Sequence, residues 1–423
     1  TGVPVVYGKR KIRGINVFKE LITQTEDGVV SDEDWFLIFV LSEGEISGID
    51  GFIIDDVYST TGGGTTSGSG AGSGFDVQWN LHLGYLSGEL VGNNPWWTYA
   101  IPGTFTERAG FKWNMGTAPV LSGLGAIYCK LSVQNSGLGK SLNLPRLSFI
   151  VNGVKVRESS FGATPSASSN PAWILMDYLT NDTYGVGLDD SVIDLTSFTA
   201  SAAVCNQTNS GVTRHQCNMI IDTRKPVMKN VKQILTTCAG SLLWVSGKYH
   251  MKIEDTLDGS VAMAFDTTNI IGGINITGES KTSKANQVTA QYVEKSDDDM
   301  TRNWSVGEVS FPDKNEDAST YTQFFETEDN SVPLRKKITL SGVTDYNQAR
   351  FLAQQLCLQS RNNIRVNFIS TAEAANLLPG DIVSVTHDTP AWSAKAFRVK
   401  SVKLNRTGNI TLQCHEYQAS TYT

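Results

Sequence analysis

Between Cys217 and Asp255 the spacing of apolar residues changes twice, and that change constrains the fold more than any other stretch. Met219 to Ile221 is a short apolar run, which predicts a strand leading into a turn. Pro226 then stands where a first helical residue belongs, since its fixed φ and missing N–H cost nothing there. Val231, Ile234, Leu235 and Cys238 fall at i, i+3, i+4 and i+7, one face of a helix. Gly240 follows at the place for a left-handed cap. Leu242 to Val245 reads as a strand and Ser246-Gly247 as a tight turn. Tyr249, Met251 and Ile253 then alternate with Lys248, His250 and Lys252 as a half-buried return strand. The predicted unit is strand, helix, hairpin.

The flanking sequence is dominated by strand patterns. Trp35 to Leu41 (WFLIFVL) is a continuous apolar run, suited to a strand buried on both faces. Residues 62–74 (GGGTTSGSGAGSG) carry no apolar anchor and predict a flexible, dispensable loop tip. Phe75, Val77, Trp79, Leu81 and Leu83 alternate strictly with polar residues, so a strand is expected there with His82 facing solvent. Ile127, Cys129, Leu131 and Val133 alternate in the same way, and LSFIVNGVKV predicts a hairpin about Asn152-Gly153. Asn170-Pro171 marks a helix start, with Trp173, Met176 and Leu179 on that helix, and a second short helix carries Phe198, Ala202 and Cys205. Beyond residue 256 strands are expected at Ile270–Ile276, Val288–Val293, Trp304–Val309, Leu334–Leu340, Ile364–Ile369, Ile382–Val385, Phe397–Val402 and Ile410–Cys414. A single helix, Asp345 to Ser360, interrupts them, with Thr344 or Asp345 as its cap. The acidic run Asp297 to Asp299 predicts a hairpin tip, and no repeat of 20–50 residues is present.

Size and charge narrow the function. A chain of 423 residues forms about two to four domains and buries roughly three-quarters of its unfolded surface. A net charge of −7 argues against a protein that grips nucleic acid through phosphates. An acidic wall past which DNA slides is compatible with that charge. Six cysteines (129, 205, 217, 238, 357 and 414) include no C-x-x-C pair, and each sits at an apolar phase of its local pattern. They read as buried thiols in a reducing cytoplasm. No apolar run reaches membrane-span length and no signal peptide is visible. The sequence begins at Thr1, as a processed protein or the ordered part of a longer one would.

No catalytic constellation stands out. The five histidines (82, 215, 250, 387 and 415) make no zinc spacing, and no G-x-S-x-G elbow occurs. Glu43, Glu45, Asp55 and Asp56 are available as a carboxylate site, but solvated strand ends explain them better. Tyr184-Gly185-Val186-Gly187 has no Gly-rich helix after it and makes a poor nucleotide turn. Residues 84–116 are rich in aromatics. Trp96, Trp97 and Tyr99 there are candidate partner or carbohydrate contacts, or else the small core under a long loop. No metal and no cofactor is expected.

Several of these stretches, taken in order, resemble the phage tail tip and baseplate hub family, the hub region of the lambda host specificity protein J kind. The stretches are Tyr7-Gly8-Lys9-Arg10, EGEISGIDGFIIDD, LGAIYCKL through LPRLSFIVNGVKV, YLTNDTYGVGL with IDLTSFTASAAVC, CAGSLLWVSGKYHMKI, and LLPGDIVSV. The resemblance covers about residues 1–58 and 120–423. It implies a mainly β chain with short helices (α+β), in a multi-domain tail-hub architecture. Two tube-like β-barrel domains would be joined by insert domains. The implied divisions are 1–160 (a β hub domain with a variable insert around 60–120), 161–255 (a helix-containing insert) and 256–423 (a β-barrel domain with one helix).

The resemblance further implies a structural virion protein without enzymatic activity. It would be a homotrimer closing the distal end of the tail tube, assembled in the bacterial host cytoplasm. Its implied partners are further copies of itself, the distal tail protein ring, the tape measure protein and fibre or spike proteins, with DNA only in passage and no membrane span. Lambda-type members continue past the hub into fibronectin-like and receptor-binding parts. The present sequence stops at Tyr422-Thr423, so a separate fibre or downstream sequence is expected to contact the host. The alternative reading is a cell-wall glycan hydrolase or a carbohydrate-binding tail protein using residues 84–116.

Overall fold

A computed structural model describes residues 2–26, 29–55, 57–60, 62–63, 67–72, 75–82, 123–133, 144–209, 211–254, 260–278, 280, 283–295 and 304–422. The chain divides into two compact units. The first holds residues 1–190, 216–234 and 294–305, and the second holds 191–215, 235–293 and 306–423.

The first unit opens with β1 (Val5–Tyr7), β2 (Lys9–Ile12), β3 (Ile15–Glu26), β4 (Val29–Glu43) and β5 (Ile46–Ile54). It continues with β6 (Val57–Thr60), β7 (Gly62–Gly63), β8 (Ser67–Gly72), β9 (Phe75–His82), β10 (Leu124–Val133), β11 (Leu147–Val156) and β12 (Ser166–Ala167). One sheet runs β3-β4-β10-β9-β8-β7, and a second runs β12-β11-β5-β6 with β2 also on β11. Leu37, Ile38, Phe39, Val40 and Leu41 are all buried, as a strand covered on both faces requires. Both sheets feed one apolar core, in which Phe39 and Phe149 lie 5.2 Å apart. Among the described residues the sheets are open runs of strands.

Two expectations fail here. The stretch at 62–74 is not simply a flexible loop: Ser67–Gly72 forms β8 and pairs residue by residue with β9. A ladder is built from backbone N–H and C=O groups, so a Ser/Gly run joins it when a well-patterned neighbour is alongside. Residues 64–66 and 73–74 lie outside the described residues. Asn152-Gly153 is not a hairpin turn either, because β11 runs straight through it. Gly153 donates its N–H to the Gly8 carbonyl at 2.7 Å, and a Cβ on it would stand 2.2 Å from the Val6 carbonyl oxygen. The glycine serves a close approach of two backbones, the other use of glycine inside a strand.

The helices follow. α1 (Pro171–Thr180) starts as expected, with Asn170 Oδ1 accepting from the Ala172 N–H at 3.0 Å. α2 (Leu195–Cys205) is capped by Asp194 and precedes β13 (Thr208–Asn209) and β14 (Val212–Thr213). Then come β15 (Met219–Ile221), α3 (Val227–Thr236), β16 (Gly240–Val245) and β17 (Lys248–Ile253), so strand, helix and hairpin all form. The left-handed residue after α3 is Ala239, with φ 49°, and Gly240 already belongs to β16. Gly240 is small for a different reason: a Cβ there would press on Cys238 Sγ at 3.0 Å. The stretch also does not act as one packing unit. β15 pairs with β1 in the first unit, whereas β17 packs on α2 in the second. Ser246 and Gly247 both have positive φ, the geometry of a two-residue hairpin turn.

The second unit adds β18 (Val261–Phe265), β19 (Ile270–Gly278), β20 (Gln287–Lys295) and β21 (Trp304–Phe311). After α4 (Ala318–Tyr321) come β22 (Arg335–Leu340), α5 (Tyr346–Arg361), β23 (Ile364–Ser370), β24 (Ile382–His387), β25 (Trp392–Leu404) and β26 (Ile410–Glu416). A six-stranded sheet has the order β18-β24-β25-β26-β23-β19, and a three-stranded sheet the order β21-β20-β22. Ala349, Leu352, Ala353 and Cys357 of α5 share a core with Val288, Ala290, Tyr292 and Leu340 of the smaller sheet. Asp345 is the cap of α5, accepting from the Gln348 N–H at 2.9 Å. The expected strands all form. The pattern missed β18, α4 and the π-helical segment Thr322–Glu328 that follows it. VAMAF is short and Ala-rich, and the polar run after Asp313 has no clear period. The acidic run at 297–299 lies outside the described residues.

Buried polar clusters at the motif residues

Tyr7, Asp177 and Tyr184 come together in the first unit from β1, α1 and the loop after α1. The Tyr7 hydroxyl donates to Asp177 Oδ2 at 2.7 Å and the Tyr184 hydroxyl donates to the same oxygen at 2.9 Å. The two rings meet edge to face, 6.4 Å between centroids. Tyr7 is fully buried. Burial pushes the Asp177 carboxyl above its ordinary range, against the pull of the two hydroxyls and Arg157. Burial and the neighbouring Asp177 push both tyrosines far up, so neither ionises at any physiological pH.

The glycines and the arginine around this cluster hold it closed. Gly44 has φ 89°, and a Cβ on it would stand 2.8 Å from the Tyr184 ring. A Cβ on Gly185 would stand 2.2 Å from the Tyr178 carbonyl oxygen. That tight loop brings the N–H groups of Val186, Gly187 and Leu188 onto the carbonyls of Tyr178, Asn181 and Leu179. The loop is thus a cover for the end of α1, whose last carbonyls otherwise lack partners. Those three N–H groups are spent on the helix carbonyls. Arg157 grips Asp190 with both terminal nitrogens at 3.1 and 3.2 Å, donates to Thr180 Oγ1 at 2.9 Å and to the Phe161 carbonyl at 3.0 Å.

The Tyr7-Gly8-Lys9-Arg10 step docks on Asn218. Lys9 N–H donates to Asn218 Oδ1 at 2.8 Å, and Gly8, at φ 63°, leaves no room for a side chain beside that oxygen. Burial pushes Arg10 down to about 10.

The second unit has its own cluster, where the Pro379-Gly380-Asp381 turn meets β17. Lys252 Nζ lies 2.8 Å from Asp381 Oδ1, and Asp381 Oδ2 accepts from the Leu378 N–H at 2.7 Å. Gly380 has φ 97° and lies against the Lys252 stem, leaving no space for a Cβ. Arg398 donates to the Gly380 carbonyl at 3.1 Å and stands over the Tyr417 and Tyr422 rings at 5.1 Å from each. Glu254 pairs with Lys400 at 2.7 Å and accepts from Tyr422 and Gln359. Burial raises the Glu254 carboxyl, but Lys400 and Arg398 outweigh it and hold the group below its ordinary value. His415 is pushed down to about 4 by burial, with Lys400 and Arg365 adding to the effect.

Few of the sequence candidates meet. Glu45 is paired with Lys155, and Asp55 Oδ1 accepts from the Arg146 N–H. Burial raises the Glu43 carboxyl. Asp56, Trp96, Trp97 and Tyr99 lie outside the described residues. His215 packs beside Phe351, His250 Nδ1 lies 3.2 Å from Asp194, and His387 Nδ1 accepts from the Thr389 N–H. All six cysteines are buried free thiols. Among the described residues no group of His, Cys, Asp or Glu is arranged to hold a metal, and no helix is long and apolar enough to cross a membrane.

Sequence reading overlooked Asp177, Arg157, Glu254 and Arg398. For Asp177 a signal existed: it is the one charge in the otherwise apolar helix PAWILMDYLT, where a carboxylate must find a buried partner.

Residues 229–402 match the family described as Putative phage tail protein. The chain is 23% identical over 98% of its length to the baseplate hub protein pb3 of Escherichia phage T5, and it spans 47% of that relative's length. Its fold is similar to that of a chain from the virion of a native gene transfer agent particle, with TM-score 0.61, 14% identity, and coverage of 100% of this chain and 86% of the other.

Proposed function

Starting from the phage tail and baseplate hub family that these matches support, we propose that the chain is a structural hub at the distal tip of the tail. In this reading three copies close the end of the tail tube. They join it to the distal tail ring and tape measure protein on one side and to fibre or spike proteins on the other. Residues 1–160 and 256–423 supply the two tube-facing parts of each copy, and 161–255 connects them. Two such parts on each of three chains match a sixfold tube with six similar surfaces, and cyclic closure is how heterologous contacts end in a ring.

One observation supports a structural role above others. The residues of the hub-like motifs are spent on internal polar clusters with satisfied partners: Tyr7 and Tyr184 on Asp177, and Asp381 on Lys252. Such groups rigidify a scaffold and leave no acid–base pair facing a substrate. An acidic chain of net charge −7 also suits a passage that DNA traverses without sticking. A reconstruction of the particle without imposed symmetry, with copy number from quantitative mass spectrometry, tests the proposal. Three copies on the tail axis are expected. One copy, six copies, or a position on the capsid or a side fibre would end it.

A further inference from the structure

Helix α3 carries side chains that its own stability does not explain. Asn230, Val231 and Ile234 are buried and dock the helix. Its opposite side presents Lys229 and Lys232 to solvent, with Lys225 half-buried just before the helix. Between them Met228 is 58% exposed and Val227 38% exposed. Lys225, Met228, Lys229 and Lys232 follow at i, i+3, i+4 and i+7, so they form one stripe. No acidic residue stands in the first turn and no basic residue in the last. Lys225 and Lys229 therefore sit at the positive end of the helix dipole, and successive cations stand four and three residues apart, both unfavourable placements. Nearby Arg224 is paired with Asp222. Among the described residues Lys229 and Lys232 enter no ion pair, and Lys225 stands near enough to Asp222 to help lower its carboxyl.

We propose that the stripe of Lys225, Met228, Lys229 and Lys232 is a docking surface for an acidic protein segment bearing an apolar side chain, supplied by another protein. Charge complementarity selects the occupant. Three neighbouring ammonium groups, with only the Asp222 carboxylate near Lys225 and already shared with Arg224, attract a carboxylate-rich segment to a chain of net charge −7. The apolar centre selects protein over nucleic acid, because Met228 is a flexible thioether suited to packing on a varied apolar side chain and offers nothing to a phosphate. The placement is a local violation of helix rules of the kind that binding sites carry. The family reading bears only on where that protein resides, so a chain that closes no ring leaves the surface intact.

The test uses the full chain and a short labelled peptide alternating Glu with Leu and Phe, followed by fluorescence polarisation. Binding is expected to weaken about tenfold from low to high salt, as screened contacts do. Replacing all three lysines (Lys225→Gln, Lys229→Gln, Lys232→Gln) is expected to weaken it by a further factor of about ten at low salt. The matching Lys→Arg variant is expected to bind like the parent, which separates loss of charge from loss of fold. Met228→Ser is expected to weaken binding without changing the salt slope. Four results overturn the proposal. These are no binding of the acidic peptide, equal binding of a peptide with Gln in place of each Glu, tighter binding of a short DNA duplex, and loss of self-association of the chain on the Gln substitutions.

Discussion

Replacing Asp177 by alanine removes the acceptor that two buried hydroxyls share. Tyr7 is fully buried and Tyr184 is 9% exposed, so neither hydroxyl regains a full water shell. A buried donor left without its partner costs about 1–3 kcal/mol, so two of them cost about 2–6 kcal/mol. Asp177→Asn keeps a carbonyl oxygen at that position, and its loss should stay near 1 kcal/mol, the net worth of an ordinary hydrogen bond. Removing both sides together, as Tyr7→Phe, Asp177→Leu and Tyr184→Phe, should recover much of the alanine loss, because no orphaned polar group remains.

The pH dependence of this pair of variants is a second readout. Burial raises the Asp177 carboxyl in the folded chain, so the folded state holds that proton more tightly than the unfolded state does. Its contribution is fully present below the unfolded pKa and is lost as pH rises through the raised folded value. Asparagine does not titrate. Asp177→Asn should therefore gain stability relative to the parent from acid to neutral pH. Urea unfolding of the full chain, followed by fluorescence at several pH values, measures both effects. An alanine loss below about 0.5 kcal/mol would refute the shared-acceptor account. So would an asparagine variant that loses ground as pH rises.

Gly153→Ala should destabilise by about 1–3 kcal/mol or more, since its Cβ collides with the Val6 backbone, whereas Gly162→Ala, with nothing within 4 Å, should be near neutral. Thermal melts of the two variants side by side check this. All six thiols should resist alkylation in the native chain and label fully in denaturant; Cys357 and Cys414, pushed up to about 12 by burial, should be among the slowest. Rapid native labelling of either would contradict the packing. Cutting out residues 67–72 should lower stability, because it strips β8 from β9, while shortening only 64–66 should be tolerated; equal effects in a melting assay would show that β8 adds nothing. The depressed pKa of His415, about 4, gives a contribution present above the unfolded value and lost as pH falls from about 6.5 to 4. His415→Gln should flatten the acid limb of stability against pH, and an unchanged limb would refute the assignment.

What the sequence determined by itself is local. The unbroken apolar run at Trp35–Leu41 demanded a strand covered on both faces, and Leu37 through Leu41 are buried. Asn170-Pro171 and Asp345 start their helices as side-chain caps must, and Ser246-Gly247 makes its turn, because cap and turn chemistry acts over a few residues. The apolar phase of each cysteine likewise foretold its burial. The hub-like motifs carried the family reading without revealing what their residues touch.

Tertiary structure alone decided what depends on partners far along the chain. Asn152-Gly153 has the composition of a turn, yet the backbone of Val6 passing beside Gly153 makes it the middle of a strand. A run of serine and glycine became β8 because β9 offered it a ladder. The stretch at 217–255 reads as one unit, but β15 found β1 while β17 found α2, and the chain divides between them. Tyr7 and Asp177 lie 170 residues apart, and only the fold brings the hydroxyl to the carboxylate. Periodicity reports which side of an element is apolar. It does not report which other backbone or polar group will stand against that side, and hydrogen bonds and close contacts are decided there.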